Sequence, residues 1–323
     1  MKLVVGFITY NNVSAKYLAY FLPSLKEALS LFKENEYSVL AFDNSDQLNH
    51  ENRLALEFFE YKDKLRIRYC RTENNIGFGS AYNYLLAKAE KMKADYFLII
   101  NPDIVIEKKA IYNLLKTLKS NPELVAVSPK IKRWDFINFK KTNQIDSCGL
   151  TLKPGLKFYD LGQGEEDRGQ YDKFDIIAPG GAAGLFRLNL LKKIKEKDAY
   201  FDPEFFMYKE DCDLAYRLQM KGLASKLVPS AILYHDRTAA FYKKSLGARL
   251  CNRWRKNRQI KEWSFYNQHL LYKKYFKKEP IYSQIIIFWQ IFFLFIFSLI
   301  FEPYNLLQYK KLFSKKQLLT NIK

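Results

Sequence analysis

The sequence predicts an α/β fold, a mostly parallel sheet flanked by helices, followed by a C-terminal helical membrane-associating segment. Three observations carry this. Short, continuous apolar runs alternate with helical patterns through the first half, as in a parallel sheet covered on both faces. Successive runs end in Asn, Asp or Thr, where open parallel sheets place ligands. Positive charge gathers late: from Asp236 to Lys323 there are 18 Lys and Arg against four Asp and Glu, most of the net charge of +19.

The runs can be placed in order. Leu3–Thr9 reads as a strand ending at Tyr10-Asn11-Asn12, followed by a helix over Tyr17–Phe32. Ser38–Phe42 is a strand ending at Asp43, and Leu65–Cys70 is one that leads to Asn74-Asn75. A helix over Ser80–Lys93 precedes the apolar strand Tyr96–Ile100, which ends in Asn101-Pro102-Asp103. Lys108–Lys119 is a helix and Leu124–Val127 a strand. Arg133 to Asp175 is polar and irregular, an insertion or a set of loops and short strands. Pro179–Gly184 reads as a flexible turn feeding a helix from about Asn189. Glu210–Lys221 is helical, Ala231–Tyr234 is a short strand ending at His235, and basic helices follow Phe241. With 323 residues, this fits one large domain over 1–240 and a basic, aromatic helical region over 241–323.

Several residue types point to chemistry. Thr9/Asn11, Asp43, Asn74/Asn75 and Asp103 end successive strands. Each alone is a good turn former; together they form a ring at one sheet edge. Asp103, fixed behind Pro102, suits a hard cation facing a diphosphate, and equally the approach to a helix. Glu210, Asp211 and Asp213 open a helix, where negative charge is favourable. Their aromatic neighbours also suit the tuning of a general base. His235 fits either a metal ligand or a satisfied buried histidine.

Taken in order, GFITYNN, FDNSD, ENNIGFGSAYN, LIINPDI, APGGAAGLFR, FDPEFFMYKEDCDLAYRLQMKG and VPSAILYHD resemble glycosyltransferase family 2, over about residues 1 to 240. The resemblance implies the GT-A fold of nucleotide-diphospho-sugar transferases. Within the family the chain is similar to bacterial rhamnosyltransferase-like enzymes of surface-polysaccharide assembly. It implies a nucleotide-sugar donor, dTDP- or UDP-linked, bound by Thr9, Asn11, Asp43, Asn75, Gly77, Gly79 and Asn101. Asp103 would hold Mn²⁺ or Mg²⁺, with His235 completing the metal or diphosphate site. Gly180, Gly181 and Ala182 would line the acceptor side. Asp211 would be the general base, with Glu210 beside it, in an inverting displacement onto a saccharide or lipid-linked saccharide. Asn101 stands where a full DxD motif has its first Asp.

Ile281–Phe301 is 21 residues without a charge, about 30 Å as a helix. Lys273, Lys274, Lys277 and Lys278 precede it, and Lys310, Lys311, Lys315 and Lys316 follow. Such a segment suits an anionic membrane surface, in its plane or across it; its aromatics also suit a homodimer interface. The start, MKLVVGFITYNN, is unlike a signal peptide, and the four cysteines lack disulfide or metal spacing. These point to the cytoplasmic side of the cell membrane. The uncharged run beside RLCNRWRKNRQIK favours lipid over nucleic acid. A nucleotidyltransferase would carry a Gly-rich basic loop after its first strand, and GFITYNN has none.

Overall fold

The strand β1 (Leu3–Thr9) is apolar or glycine from Leu3 to Ile8, and both of its faces are covered. The computed structural model that contains it describes residues 1–46, 50–63, 65–237, 253 and 257–314. Two compact units result. The first holds Met1–Thr151, Tyr159–Pro203 and Glu210–Ala239; the second holds Leu152–Phe158, Glu204–Lys209 and Ala240–Lys323.

In the first unit, α1 (Asn11–Leu29), β2 (Tyr37–Asp43), α2 (His50–Asp63), β3 (Ile67–Arg71), α3 (Phe78–Lys91) and β4 (Tyr96–Ile100) follow β1. Next come β5 (Ile104–Ile106), α4 (Ala110–Ser120), β6 (Leu124–Asp135), β7 (Lys140–Ser147) and the hairpin β8 (Leu150–Lys153) and β9 (Lys157–Asp160), whose tip, Leu152–Phe158, belongs to the second unit. β10 (Ala183–Arg187), the single-turn α5 (Leu188–Leu191), α6 (Glu210–Met220) and β11 (Ala224–His235) complete the unit. Among the described residues one sheet has the order β3-β2-β1-β4-β10-β6-β11-β5, with β7 on β6. β3, β2, β1 and β4 are parallel, as are β6 and β11. β10 and β5 run against their neighbours. The sheet is therefore mixed and mostly parallel.

Helix periodicity explains the layers. In α4, Ala110, Ile111, Leu114, Leu115 and Leu118 are buried, one stripe at helical spacing. That stripe joins Leu18, Phe21, Leu22 and Leu25 of α1 and Leu3, Val5 and Phe7 of β1 in one core cluster. On α3, buried Tyr82 donates its hydroxyl toward the Ile100 carbonyl at 3.3 Å, so its polar end is satisfied.

Two expectations change, and the short strands expected between Arg133 and Asp175 are present. The turn within Pro179–Gly184, at Gly181–Ala182, feeds a strand before any helix: the chain is extended over Ala183–Arg187, pairs with β4 and β6, and only then makes the single turn α5. Its small residues are there for packing, since a side chain on Gly184 would meet Pro179 Cβ at 2.4 Å. Arg187 then fastens this strand by donating to the Leu118 and Asn121 carbonyls at the end of α4. The insertion from Arg133 to Asp175 carries β7 and the β8–β9 hairpin. β11 begins at Ala224, with its register broken between Val228 and Ile232 around Pro229.

The second unit contains α7 (Arg258–Tyr275), α8 (Ile281–Phe301) and α9 (Leu307–Phe313). Much of the basic stretch after Phe241, from 241 to 256 apart from Arg253, lies outside the described residues.

The insertion is tied to the sheet by charge. Lys130 and Lys132 on β6 reach Asp167 at 2.8 and 2.9 Å, all largely buried. Burial would raise the Asp167 carboxyl, but the two ammonium groups outweigh it and hold it at about 2, below the ordinary 3.8. A depressed carboxyl stabilises the fold above its unfolded value, and loses that contribution as pH falls through its folded value. Asp167→Asn should therefore lower stability at pH 7 and flatten the acid limb between about pH 4 and about pH 2. Urea denaturation across that range measures both; parallel acid limbs would contradict the ion-pair assignment.

Candidate active site

The carboxyl ends of β1, β2 and β3 converge on Asp43. Its Oδ1 accepts from Thr9 Oγ1 at 3.0 Å and Ser45 Oγ at 2.6 Å. Its Oδ2 accepts from the Tyr69 hydroxyl and from Arg71 Nη1, each at 2.8 Å. The Asp43 side chain is fully buried, and so is Thr9. These two residues, read from sequence as donor contacts, are placed as the hub that locks three strand ends together.

The exposed rim above this hub is different. Asp46, which the sequence reading passed over, accepts from the Tyr10 hydroxyl at 2.6 Å and from Asn11 Nδ2 at 3.2 Å. Asp46 in turn pushes the Tyr10 phenol up to about 12. Hydrogen bonding, from Tyr10 first and also from Asn11 and Asn75, draws the Asp46 carboxyl down. Asn11 starts α1 at φ +41°, a left-handed conformation that asparagine tolerates. Asn75 Oδ1 accepts the Gly77 N–H at 2.9 Å, and Gly77 takes φ +80° at the start of α3. Gly79 lets α3 pass close to its neighbours: a side chain there would meet Phe201 Cβ at 3.0 Å.

A second polar line begins at Asp103. Its Oδ2 lies 3.2 Å from His235 Nε2, and the other His235 nitrogen lies 2.8 Å from Asp146 Oδ2. Burial alone would lower the imidazole, but Asp103 and Asp146 outweigh it and push it up to about 10. Arg237 follows on β11's end, 3.6 Å from Asp146 Oδ1 and 2.8 Å from Asp160 Oδ2. Burial raises the Asp160 carboxyl against the pull of Arg237.

The antiparallel β10 brings the glycines into this line. Because Ala183 pairs with Ile100, the residues before Ala183 lie at the carboxyl end of β4. Asn101 N–H accordingly donates to the Ala182 carbonyl at 2.9 Å. A side chain on Gly180 would lie 3.3 Å from Asp160 Oδ1, and one on Gly181 would lie 3.2 Å from Asp211 Oδ2. The Gly181 N–H donates to Asp211 Oδ2 at 2.9 Å. The line therefore runs Asp103, His235, Asp146, Arg237, Asp160, Gly180, Gly181, Asp211. Asp146, Asp160 and Arg237 escaped the sequence reading; each sits beside its partner only through the fold.

α6 supplies the carboxylates at the far end. Asp211 is partly exposed, and its Oδ1 also accepts the Cys212 N–H at 2.8 Å. Both oxygens are thus oriented by backbone donors. Glu210 is buried behind Gly79, and Asp213 is buried against Arg217 at 2.9 Å. Of the three acids, Asp211 is the one that a substrate can reach.

The residues fit a divalent cation that takes few protein ligands. Asp103 Oδ1 is buried and has no hydrogen-bond partner, an orphan that a hard cation would satisfy. His235 Nε2 points at the same carboxylate and can bind a metal after losing its proton. Among the described residues no group of three or more His, Cys, Asp or Glu gathers as a complete cage. Such a cation would have to complete its shell with water and phosphate oxygens, as Mg²⁺ commonly does.

Comparisons with known proteins identify the family and the fold. Residues 4–195 match the family described as Glycosyl transferase family 2. The chain is 26% identical over 229 residues to the N-acetylglucosaminyl-diphospho-decaprenol L-rhamnosyltransferase of Mycobacterium tuberculosis, covering 65% of this chain and 70% of that one. It is similar in fold to S. aureus TarS 1-349, with a TM-score of 0.50 and 22% identity over 74% of this chain and 61% of TarS 1-349, less than two thirds of it. The Pyrobaculum calidifontis mannosyltransferase PcManGT, solved with GDP-Man and Mn²⁺, has a TM-score of 0.53 at 16% identity, covering 96% of this chain and 73% of that one.

α6 is held in place by Arg217, which bonds Asp213 and the carbonyls of Ile194 and Tyr200. Arg217→Met strands a buried Asp213 and should cost about 3 to 5 kcal/mol. The double variant with Asp213→Leu should recover part of that loss in urea denaturation; no recovery would contradict the pairing.

Proposed function

We infer the reaction from a premise and a geometry: the chain belongs to glycosyl transferase family 2, it is a glycosyltransferase, and β10 sets the Asp211 carboxylate in line with the Asp103 strand end. The reading is an inverting transfer from a nucleotide-diphosphate sugar, rhamnose among the candidates, to a hydroxyl of a lipid-linked saccharide. The relative that acts on a diphospho-decaprenol-linked sugar supports that acceptor class.

Asp211 takes the proton of the acceptor hydroxyl. The freed oxygen attacks the anomeric carbon from the face opposite the diphosphate, and the carbon–oxygen bond to the diphosphate breaks with its electron pair leaving on phosphate. One bond forms as the other breaks, so the configuration inverts and no covalent enzyme intermediate is needed. The Gly181 and Cys212 N–H groups fix the base without neutralising it. The absent side chains at Gly180 and Gly181 leave space beside it. A bound Mn²⁺ or Mg²⁺ supplies compensation for charge developing on the leaving diphosphate. Asp103 would hold that ion, with His235 at its side. In this reading Asn11, Asn75 and Asp46 on the rim meet the donor's nucleoside, while Thr9 and Asp43 hold the rim in position; the hydrogen bonds that join Asn11 and Asn75 to Asp46 support it.

Asp211→Asn turns an amide nitrogen toward one of the two backbone N–H groups, so the melting temperature should fall slightly while donor binding is unchanged and transfer falls by at least about a hundredfold. Transfer is measured with dTDP- or UDP-sugar and a polyprenyl-diphosphate-linked saccharide. Near-normal turnover of the folded variant would remove Asp211 from the base role.

A further inference from the structure

α8 has its polarity reversed for a helix of a soluble protein. Its polar side chains face the second unit's own interior. Ser283 and Ser298 are fully buried. Ser283 Oγ accepts the Gly155 N–H at 2.7 Å. Gln290 donates to the Gly155 carbonyl at 2.9 Å and accepts the Tyr272 hydroxyl at 2.9 Å. The large apolar side chains face outward: Ile281, Ile285, Phe288, Phe292 and Leu299 are 45% to 77% exposed, along one helical stripe. In its most apolar window 11% of the helix is buried, whereas a core helix is mostly buried. A contiguous apolar face of this length marks an interaction site.

The surrounding charge names the partner. Lys277 and Lys278 before the helix, Lys310 and Lys311 after it, and Lys153 and Lys157 on either side of Gly155 are all exposed. Apolar side chains framed by lysines match hydrocarbon beneath anionic headgroups.

We propose that α8 lies in the plane of an anionic leaflet, apolar stripe down, and does not cross the bilayer. The Gly155 turn decides between the two arrangements. It grips the helix as far as Gln290, nine residues from Ile281, or about 14 Å along the axis. A crossing helix would carry that turn to about the middle of a hydrocarbon core about 30 Å thick. Lys153 and Lys157, two residues to either side, would go with it. The grip is built in: Gly155 has φ +86°, and a side chain there would lie 2.3 Å from Gln290 Nε2 and 2.5 Å from Ile286 Cγ2. Lying flat, the helix keeps these bonds, and the six lysines reach headgroup level.

The inference rests on the reading of the tail as a membrane-surface element, and its readouts involve no sugar transfer. The full chain, tagged at both ends, is expressed in bacteria, and protease access is scored on right-side-out and inverted membrane vesicles. Both tags should lie on the same face; tags on opposite faces would overturn the proposal. Purified chain should co-sediment with phosphatidylglycerol vesicles at least about tenfold better than with phosphatidylcholine vesicles. Phe288→Ser with Phe292→Ser should lower that binding about tenfold with an unchanged melting temperature. Lys277→Gln with Lys278→Gln, which spares the apolar stripe, should lower it severalfold. Undiminished binding by both pairs would overturn the proposal, as would a dimer that hides the stripe and ignores vesicles.

Discussion

One strand running against its neighbours organises this molecule. β10 enters between β4 and β6 in the antiparallel sense, so the segment that precedes it emerges where the parallel strands end. Had it run parallel, Gly180 and Gly181 would lie at the opposite edge of the sheet, away from Asp103. The reversal is secured at its other end by Arg187 on the carbonyls that finish α4. It is also secured by Gly184, whose missing side chain lets Pro179 pack against the backbone. Backbone pairing therefore sets where the Gly181 N–H meets the Asp211 carboxylate, while Arg217 holds α6 itself.

The charged groups at this edge are used in two distinct ways. Asp43 is consumed by its own scaffold: two hydroxyls, a phenol and a guanidinium bond it, which pins three strand ends at the expense of its availability. Asp103 is underused, with one buried oxygen lacking a partner. Buried polar atoms are seldom left unsatisfied, so this asymmetry separates the carboxylate that builds the site from the one that serves a ligand. His235 lies between Asp103 and Asp146, whose carboxylates favour its protonated form and are in turn kept from direct mutual repulsion.

Much of this was legible in the sequence, for physical reasons. The strand ends at Thr9 and Asp43 and the polar turn at Asn101–Asp103 could be read because parallel strands are continuous apolar runs and stop where polarity begins. The α6 start was marked by its acids. β10 was not legible, because Ala-Gly-Leu-Phe-Arg is too short to show alternation, and the glycines before and within it signal a turn. Asp146 and Arg237 were hidden because Asp146 lies 89 residues from its partner His235 and Arg237 lies 77 residues from its partner Asp160. Glu210 and Asp211 are adjacent in sequence and alike in chemistry; only burial distinguishes them.

The most direct test of the account is calorimetric titration of the wild-type chain and of Asp103→Asn with UDP and dTDP, each with and without Mn²⁺. The account predicts that Mn²⁺ strengthens binding of at least one nucleotide to the wild type and leaves Asp103→Asn unchanged. Binding that is indifferent to Mn²⁺ in both proteins, or enhanced equally in both, would contradict it.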